Sequence, residues 1–181
     1  MFPTFKYHPD PIDTGSVVPS DVECVCCRKR RGFVYTGPVY SKDEYDDCIC
    51  PWCIADGSAH EILHAEFHDA AGIPGWDFVG APQVSAEVIA TVSQRTPGFC
   101  GWQQEQWFTC CSDAAAFMGR AGFKELMQRW PDAIPAVQTS TALDGSEWDA
   151  FFRALDRDGS PTAYVFRCLH CGKYGAYQDC D

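Results

Sequence analysis

Cys24-Val-Cys-Cys27 and Cys50-Pro-Trp-Cys53 are the stretches that decide the fold, because each presents two thiols separated by two residues. A spacing of two residues allows one tight turn to direct both sulfurs at the same ion. Four sulfur ligands in two such pairs form the tetrahedral set that zinc takes in structural sites. The two pairs therefore predict one zinc site with Cys24, Cys27, Cys50 and Cys53 as its ligands.

The segments around these pairs predict the local fold of the site. Residues 32–40 are rich in β-branched and aromatic side chains and contain Gly37-Pro38, which predicts a hairpin or a bent strand. Ser58 and Glu61 form a capping-box pattern, which predicts a short helix directly after the second cysteine pair. A knuckle, a hairpin and a cysteine pair at the start of a helix follow one another in treble-clef zinc modules. Buried free thiols and a redox-active C-x2-C are the alternatives, but a redox site leaves the first pair unexplained.

A second cysteine cluster is predicted from residues that lie far apart in the chain. Cys168-Leu-His-Cys171 repeats the C-x2-C spacing but has no partner pair nearby, so its other ligands have to come from elsewhere. The entropic cost of closing a long loop rises only with the logarithm of its length, and zinc binding offsets that cost. An unmetallated turn is the alternative. We predict that Cys111 and Cys110 complete this site, with the fourth ligand still open among Cys110, Cys100, His170 and Asp113.

Composition and charge restrict the classes of function. The chain has 181 residues, 46% of them apolar and 14% aromatic, which is enough for a substantial hydrophobic core. Residues 1–16 lack the apolar region of a secretory signal, and no stretch approaches the ~20 apolar residues of a membrane helix. We therefore expect a cytoplasmic protein without membrane insertion, whose twelve cysteines favour metal over disulfides. The net charge of −11 disfavours nucleic acid as a partner.

The expected organisation is a single α+β domain over residues 1–181, a small mixed fold stabilised by two zinc ions. Residues 1–70 are expected to form the treble-clef-like module. Residues 83–181 are expected to contribute helical segments and the C-terminal knuckle, with the Gly- and Pro-rich stretch 72–82 between the two parts.

Three elements of the second part are predicted by local pattern. Ser85 predicts the cap of a helix that Pro97-Gly98 closes. Residues 162–166 predict a strand that leads to Cys168. A second helix, ended by Asp158-Gly159, is predicted by an apolar stripe at helical spacing formed by Trp148, Phe151, Phe152 and Leu155.

His60-Glu61-Ile-Leu-His64 matches the H-E-x-x-H pattern of zinc proteases. In those enzymes the pattern places two imidazoles on one helical face, with the glutamate as general base. Here Glu61 is the predicted capping residue, so its carboxylate turns back to the backbone, and the helix is too short to hold a catalytic ion. A zinc hydrolase that uses these three residues is therefore the weakest of the hypotheses about function.

Arg28-Lys-Arg-Arg31 is a dense basic run in an acidic sequence and has two interpretations. Zinc knuckles present such residues to nucleic acid, so a nucleic-acid-binding module is one hypothesis. In the alternative, which we favour, the four charges offset the negative zinc-thiolate cluster or neighbouring carboxylates.

The segment with Trp102, Gln103, Gln104, Glu105 and Trp107 is a candidate binding surface. Tryptophan supplies contact area and amides supply orientation, which suits a groove for a ligand or peptide. Packing in the core and in turns is the alternative for this segment. The partner is expected to be an unidentified protein or small molecule.

The sequence resembles the CbrC family of bacterial proteins, whose named member is associated with colicin tolerance. The resemblance extends over nearly the whole chain and implies a bacterial source and a family without an established biochemical activity. Its pattern does not feature the pair His60 and His64. We therefore expect a zinc-binding, non-enzymatic binding or adaptor protein, with a link to colicin tolerance or envelope stress. The segments that carry the resemblance are Phe5-Lys-Tyr-His-Pro-Asp-Pro11, Thr14-Gly-Ser16, Tyr35-Thr-Gly-Pro38, Cys50-Pro-Trp-Cys-Ile-Ala-Asp-Gly-Ser58, Arg95-Thr-Pro-Gly98, Gly101-Trp-Gln-Gln-Glu105 and Cys168 to Lys173.

Overall fold

The computed structural model describes residues 1–73 and 84–181 and shows a mixture of short helices and antiparallel strands, as the α+β prediction requires. The predicted linker at 72–82 and the predicted boundary at residue 83 lie almost entirely outside the described residues. In chain order the elements are β1 (Val17–Pro19), β2 (Phe33–Tyr35), α1 (Pro51–Ala55), α2 (Ser58–Leu63), α3 (Ala86–Arg95), β3 (Thr109–Cys110), β4 (Asp113–Ala114), β5 (Ala116–Ala121), α4 (Phe123–Gln128), α5 (Ile134–Thr141), α6 (Gly145–Ala154), β6 (Thr162–Arg167) and β7 (Tyr174–Asp179), with 3₁₀ turns at Ala70–Gly72 and Pro131–Ala133.

Residues 32–40, predicted as a hairpin or a bent strand, contain one short strand and do not form a hairpin. Only Phe33–Tyr35 forms a strand, and its antiparallel partner is β1, with Val17 opposite Tyr35. The Thr36 N–H still donates to the Ser16 carbonyl at 3.0 Å, but the pairing goes no further: Pro38 has no backbone N–H to donate, and its carbonyl accepts a hydrogen bond from the Tyr35 hydroxyl at 2.9 Å. Residue 40 pairs only through an isolated bridge to Glu66.

The predicted capping box at Ser58 and Glu61 is also wrong. The N-cap of α2 is Gly57, with φ of 85°, and it has no side chain to cap the helix. Asp56 explains the difference, because its carboxylate accepts hydrogen bonds from both the backbone N–H and the hydroxyl of Ser58, at 2.9 and 2.6 Å. Ser58 is therefore the first residue of the helix, and Glu61 is exposed.

The three elements predicted in the second part are present. Ser85 caps α3 by accepting a hydrogen bond from the Val88 N–H at 3.3 Å. The strand predicted at 162–166 is β6, the central strand of an antiparallel sheet with the order β5-β6-β7. The aromatic stripe lies on α6, with Trp148 buried against the sheet side. This helix ends at Ala154, before the predicted stop, because Leu155 leaves the helical conformation and is itself buried.

Three hydrophobic clusters organise the interior of the described chain. One surrounds the first cysteine cluster and contains Ile49, Ile54 and Phe67. A second is aromatic and lies between α3 and the three-stranded sheet; in it Phe99 and Phe117 stack with ring centroids 4.0 Å apart. The third packs α4, α5 and α6 against the sheet. No helix within the described ranges has the length and apolarity to cross a bilayer.

Gly98 connects the first two clusters, and its small size is required there. Its N–H donates to the Tyr35 hydroxyl at 3.1 Å, and a Cβ at this position would lie 1.9 Å from the Phe67 carbonyl oxygen. Because backbone atoms would have to move, we expect Gly98→Ala to lower the free energy of unfolding by ~3 kcal/mol. Urea denaturation measures this loss.

Gly145→Asn is the control for that prediction. Gly145 has φ of 57°, which asparagine tolerates, and a Cβ there meets no atom within 4 Å. We expect it to cost about 1 kcal/mol or less. Equal losses for the two variants would contradict the steric explanation.

His8 gives the fold a pH dependence, since it is fully buried and bonded through both ring nitrogens. Nδ1 lies 2.7 Å from the Pro97 carbonyl oxygen and Nε2 lies 2.7 Å from the Thr14 hydroxyl. Burial lowers the pKa of His8 to about 4, against a smaller opposite effect of the hydrogen bond to Pro97. The unfolded chain therefore binds a proton in the window between about pH 6.5 and pH 4 that the folded chain excludes.

The corresponding stability is present above pH 6.5 and is lost as the pH falls toward 4, to a total of about 3 kcal/mol. We expect His8→Gln, which keeps a donor and an acceptor, to flatten the fall in the free energy of unfolding between about pH 6.5 and pH 4, because the unfolded variant no longer takes up that proton. Denaturant unfolding at a series of pH values, with zinc in excess, measures how the free energy of unfolding of each protein changes with pH. Parallel slopes for the two proteins would show that His8 does not contribute.

Candidate metal centres

The first cysteine cluster has the spacing of a zinc-sulfur tetrahedron. The sulfurs of Cys24 and Cys53 lie 3.8 Å apart, those of Cys27 and Cys50 also 3.8 Å, and those of Cys50 and Cys53 3.6 Å. Four sulfurs at a zinc-sulfur distance of about 2.3 Å are separated by about 3.8 Å from one another. A disulfide would need about 2.05 Å. The geometry therefore fits an ion held between four thiolates.

Two local structures position these four sulfurs. Between Cys24 and Cys27 the chain turns tightly, with the Arg28 N–H donating to the Cys24 carbonyl at 2.8 Å and Arg28 at φ of 56°. Cys50 is the N-cap of α1 and Cys53 lies in its first turn, as the sequence predicts. The Cys50 N–H also donates to the Cys24 sulfur at 3.3 Å, which stabilises a thiolate.

The electrostatics of the first cluster favour bound metal. A hydrogen bond from the Cys50 thiol, followed by backbone N–H groups, lowers the pKa of Cys24 to about 4. The hydrogen bond to Cys24, followed by burial, raises the pKa of Cys50, and burial raises the pKa of Cys53. Four adjacent thiols cannot all ionise by themselves, because each thiolate disfavours the next. A divalent cation removes that repulsion, and its binding releases the protons.

Arg31 is the member of the basic run that faces this cluster. A hydrogen bond with the Cys27 thiol raises the pKa of its guanidinium, and the guanidinium carbon lies 5.3 Å from the centre of the Trp52 ring. Its position agrees with the interpretation that the charge offsets the zinc-thiolate cluster. The other three residues, Arg28 to Arg30, are exposed.

The second cluster joins two cysteines of a hairpin to two cysteines of the C-terminal knuckle. The sulfurs of Cys110, Cys111, Cys168 and Cys171 all lie within 4.8 Å of one another. The Cys110 sulfur is 3.7 Å from that of Cys111 and 3.8 Å from that of Cys171. Of the four side chains left open for the fourth ligand, Cys110 is the one in the cluster.

Adjacent cysteines can face the same ion here because of the turn that they form. Cys110 pairs with Asp113, which leaves Cys111 and Ser112 as a two-residue hairpin loop between β3 and β4. Both loop residues have positive φ, at 55° and 58°, the combination found in type I′ turns. Because this conformation breaks the alternation of side chains along a strand, neighbouring side chains can point to the same side. Each non-glycine residue in it lowers the folding stability by about 1–2 kcal/mol.

Asp113 fixes this hairpin to its surroundings. Its carboxylate accepts hydrogen bonds from Lys6 at 2.8 Å, from the Tyr7 hydroxyl at 2.6 Å and from His170 Nε2 at 2.8 Å. Partial burial by itself would raise the pKa of Asp113, but these donors outweigh it and lower the pKa to about 2. Asp113 and His170, both considered as ligands from sequence, thus bond to each other beside the cluster.

The two clusters differ in their exposure to solvent. In the first, Cys24, Cys50 and Cys53 are all buried. In the second, Cys168 is the one buried member, while Cys111 and Cys171 are exposed. The first cluster is therefore part of a core, and the second lies at the surface.

The H-E-x-x-H residues do not form a metal site. Helix α2 ends at Leu63, so His64 lies outside it with φ of 53° and is exposed. His60 Nδ1 lies 3.2 Å from the Ala65 carbonyl oxygen. Within residues 1–73 and 84–181, groups of three or more potential metal ligands are limited to the two cysteine clusters.

The predicted binding segment is divided between surface and interior. Trp102 is 43% exposed and its indole N–H donates to the Gly159 carbonyl at 3.1 Å. Gln103 and Gln104 are exposed, whereas Glu105 is buried and accepts a hydrogen bond from the Tyr40 hydroxyl at 2.6 Å. Trp107 is fully buried in the aromatic cluster, so it cannot belong to a binding surface.

A cavity of about 480 Å³ opens beside this segment. Its walls carry glutamine amides, hydroxyls and carboxylates, and none of the described residues that line it carries a positive charge. Local sequence pattern does not reveal this cavity, because four of its eleven lining residues come from α5 and β7, which lie far from the segment in the sequence. The polar lining residues are Asp69, Gln103, Gln104, Glu105, Gln106, Ser140, Tyr177, Gln178 and Asp179.

Comparison with known proteins gives relatives but no function. Residues 2–180 match a family described as Uncharacterised protein family (UPF0167). UPF0167 proteins of Mycobacterium bovis and Mycobacterium tuberculosis are each 47% identical to the chain, across 98% of it and 92% of their own length. A UPF0167 protein of Pseudomonas aeruginosa is 41% identical, across 99% of the chain and 96% of its own length. No solved structure matches the chain significantly.

Proposed function

The chain belongs to the uncharacterised protein family UPF0167, and from that premise we propose that it is a zinc-stabilised, non-enzymatic binding protein. One observation carries the proposal: two groups of four cysteines have their ligand sulfurs within 4.8 Å of one another. Closed sites with four sulfur ligands leave no coordination position for substrate, which favours a structural role. Zinc is the proposed metal because tetrahedral sets of four thiolates select zinc or iron.

Metal content of protein purified without chelator tests this proposal. We expect two zinc ions per chain by mass spectrometry. Cys27→Ser is expected to remove one ion and Cys171→Ser the other. Iron in place of zinc, or a folded protein without metal, would contradict the proposal.

The proposed binding site is the cavity beside Trp102. Glu105 and Asp179 lie in its wall, each with only 7% of its surface exposed. Both carboxylates accept hydrogen bonds from neutral groups: the Asp179 carboxylate accepts from the N–H groups of Trp102 and Gln103, both at 2.8 Å. Buried carboxylates without a cation favour a positively charged ligand. We therefore propose a small organic cation, such as a primary amine, as the ligand class.

The proposed ligand class is tested by adding spermidine to the protein, with citrate as the anionic comparison. We expect spermidine to shift the NMR signals of the glutamine side-chain amides in the cavity, and citrate to leave them in place. Asp179→Asn removes one carboxylate charge and is expected to weaken the spermidine response, while Asp21→Asn, an exposed carboxylate outside the cavity wall, is the matched control. Equal responses to the two compounds would contradict the proposed ligand class.

A nucleic-acid-binding module remains the second hypothesis, supported by the exposure of Arg28, Lys29 and Arg30. It requires an affinity that falls steeply with salt and is lost when these three residues are neutralised. The resemblance to the CbrC family further predicts a link with colicin tolerance or envelope stress. A cytoplasmic location, where thiols stay reduced, is part of the same proposal.

A further inference from the structure

The thiols of the second cluster are more accessible to an oxidant than those of the first cluster. Oxidation of cysteine follows thiolate character and access to solvent. Cys171 and Cys111 are exposed, whereas three members of the first cluster are buried. Zinc keeps its ligands as thiolates, so access is the property that separates the two clusters.

The geometry also selects the pair of sulfurs that can join. Consecutive Cα atoms are 3.8 Å apart, below the ~4.4 Å that an ordinary disulfide requires, which disfavours a bond between Cys110 and Cys111. The sulfurs of Cys110 and Cys171 lie 3.8 Å apart and belong to different elements, so a small movement brings them to bonding distance. Cys168 is buried and accepts the Cys171 N–H at 3.5 Å, which leaves it less accessible as a partner.

We propose that the second cluster is a peroxide-reactive modification site, in which Cys171 and Cys110 form a disulfide and release the zinc ion. The inference rests on the proposed function, since it requires zinc at this cluster. The Cys171 thiolate attacks hydrogen peroxide, a sulfenic acid forms and hydroxide leaves. The Cys110 thiolate then displaces a second hydroxide from that sulfur. Two thiolates have lost two electrons, the peroxide has gained them, and both hydroxides take protons from solvent.

Loss of two ligands explains the release of the ion. After the reaction only Cys111 and Cys168 remain as thiolates, and two sulfurs do not form a stable zinc site. The hairpin loop at Cys111 and Ser112 has positive φ at both residues, a strained conformation that the bound metal helps to maintain. Release is therefore expected to loosen β3 and β4, while the buried first cluster keeps its zinc.

Zinc release from the full chain under hydrogen peroxide tests the proposal. A chromogenic zinc indicator follows the ion, and mass spectrometry of nonreduced peptides identifies the disulfide. We expect one of two zinc equivalents to leave on the order of tenfold faster than the other, together with a peptide that joins Cys110 to Cys171. Reductant and added zinc should restore two equivalents.

Cys100→Ser combined with Cys180→Ser is the control, because both cysteines are exposed but lie outside the clusters. We expect the same release in this variant, and slower release would overturn the proposal. Loss of both equivalents at one rate, or a disulfide between Cys168 and Cys171, would also overturn it. If the untreated protein holds no zinc at the second cluster, the proposed function fails instead, so the two failures are distinguishable.

Discussion

Cys53→Ser is expected to remove one zinc ion and to unfold the part of the protein around the first cluster. Cys53 is 1% exposed, and its sulfur lies 3.6 Å from that of Cys50 and 3.8 Å from that of Cys24. These sulfurs are packed among Ile49 and Ile54, so loss of the metal leaves uncompensated polar groups inside a core. Structural zinc supplies on the order of 10 kcal/mol of folding free energy, comparable to the whole stability of a domain.

Metal analysis and thermal unfolding measure this effect. We expect the zinc content to fall from two ions to one and the unfolding midpoint to fall sharply or become undetectable. Cys26→Ser is the matched control, because the Cys26 sulfur contacts the Ser58 hydroxyl at 3.6 Å and lies outside the cluster. A Cys53→Ser protein that keeps two ions and a normal midpoint would show that the first cluster is not a structural zinc site.

Trp107→Ala is expected to give the second large loss. The side chain is fully buried, with ring centroids 5.2 Å from His68, 5.6 Å from Phe99 and 5.8 Å from Phe166. Its indole N–H donates to the Ala115 carbonyl at 2.9 Å. The cavity should cost about 4 kcal/mol, and the unpaired carbonyl about 1 kcal/mol more.

Trp102→Ala is the control for that prediction, since its ring is 43% exposed. We expect it to cost only about 1 kcal/mol. Urea denaturation compares the two variants, and Trp107→Phe, which fills part of the cavity, keeps the test open if Trp107→Ala does not fold. Similar losses at the two tryptophans would contradict the division of this segment between surface and interior.

The structure confirms several of the predictions that rest on the spacing of residues close together in the sequence. Two residues between cysteines fix the turn that brings their sulfurs together, and the structure shows this at Cys24-x2-Cys27 and at Cys50-x2-Cys53. The cap at Ser85 and the stripe on α6 are local in the same way, because they follow from the period of the helix. The errors at residues 32–40 and at Ser58 came from competing hydrogen bonds of Tyr35 and Asp56, which sequence pattern does not rank.

The sequence by itself determined the three C-x2-C pairs, Cys24/Cys27, Cys50/Cys53 and Cys168/Cys171, because the spacing within each pair is a property of the backbone over four residues. Only the tertiary structure decided that Cys110, and not Cys100, His170 or Asp113, joins Cys111, Cys168 and Cys171. The antiparallel pairing of β5 with β6 places Ala116 opposite Arg167 and so brings the β3–β4 hairpin to the C-terminal knuckle. The tertiary structure likewise decided that Trp102 is exposed and Trp107 buried, although both have the same side chain. Their difference comes from the sheet and helices that pack around them, which no local pattern contains.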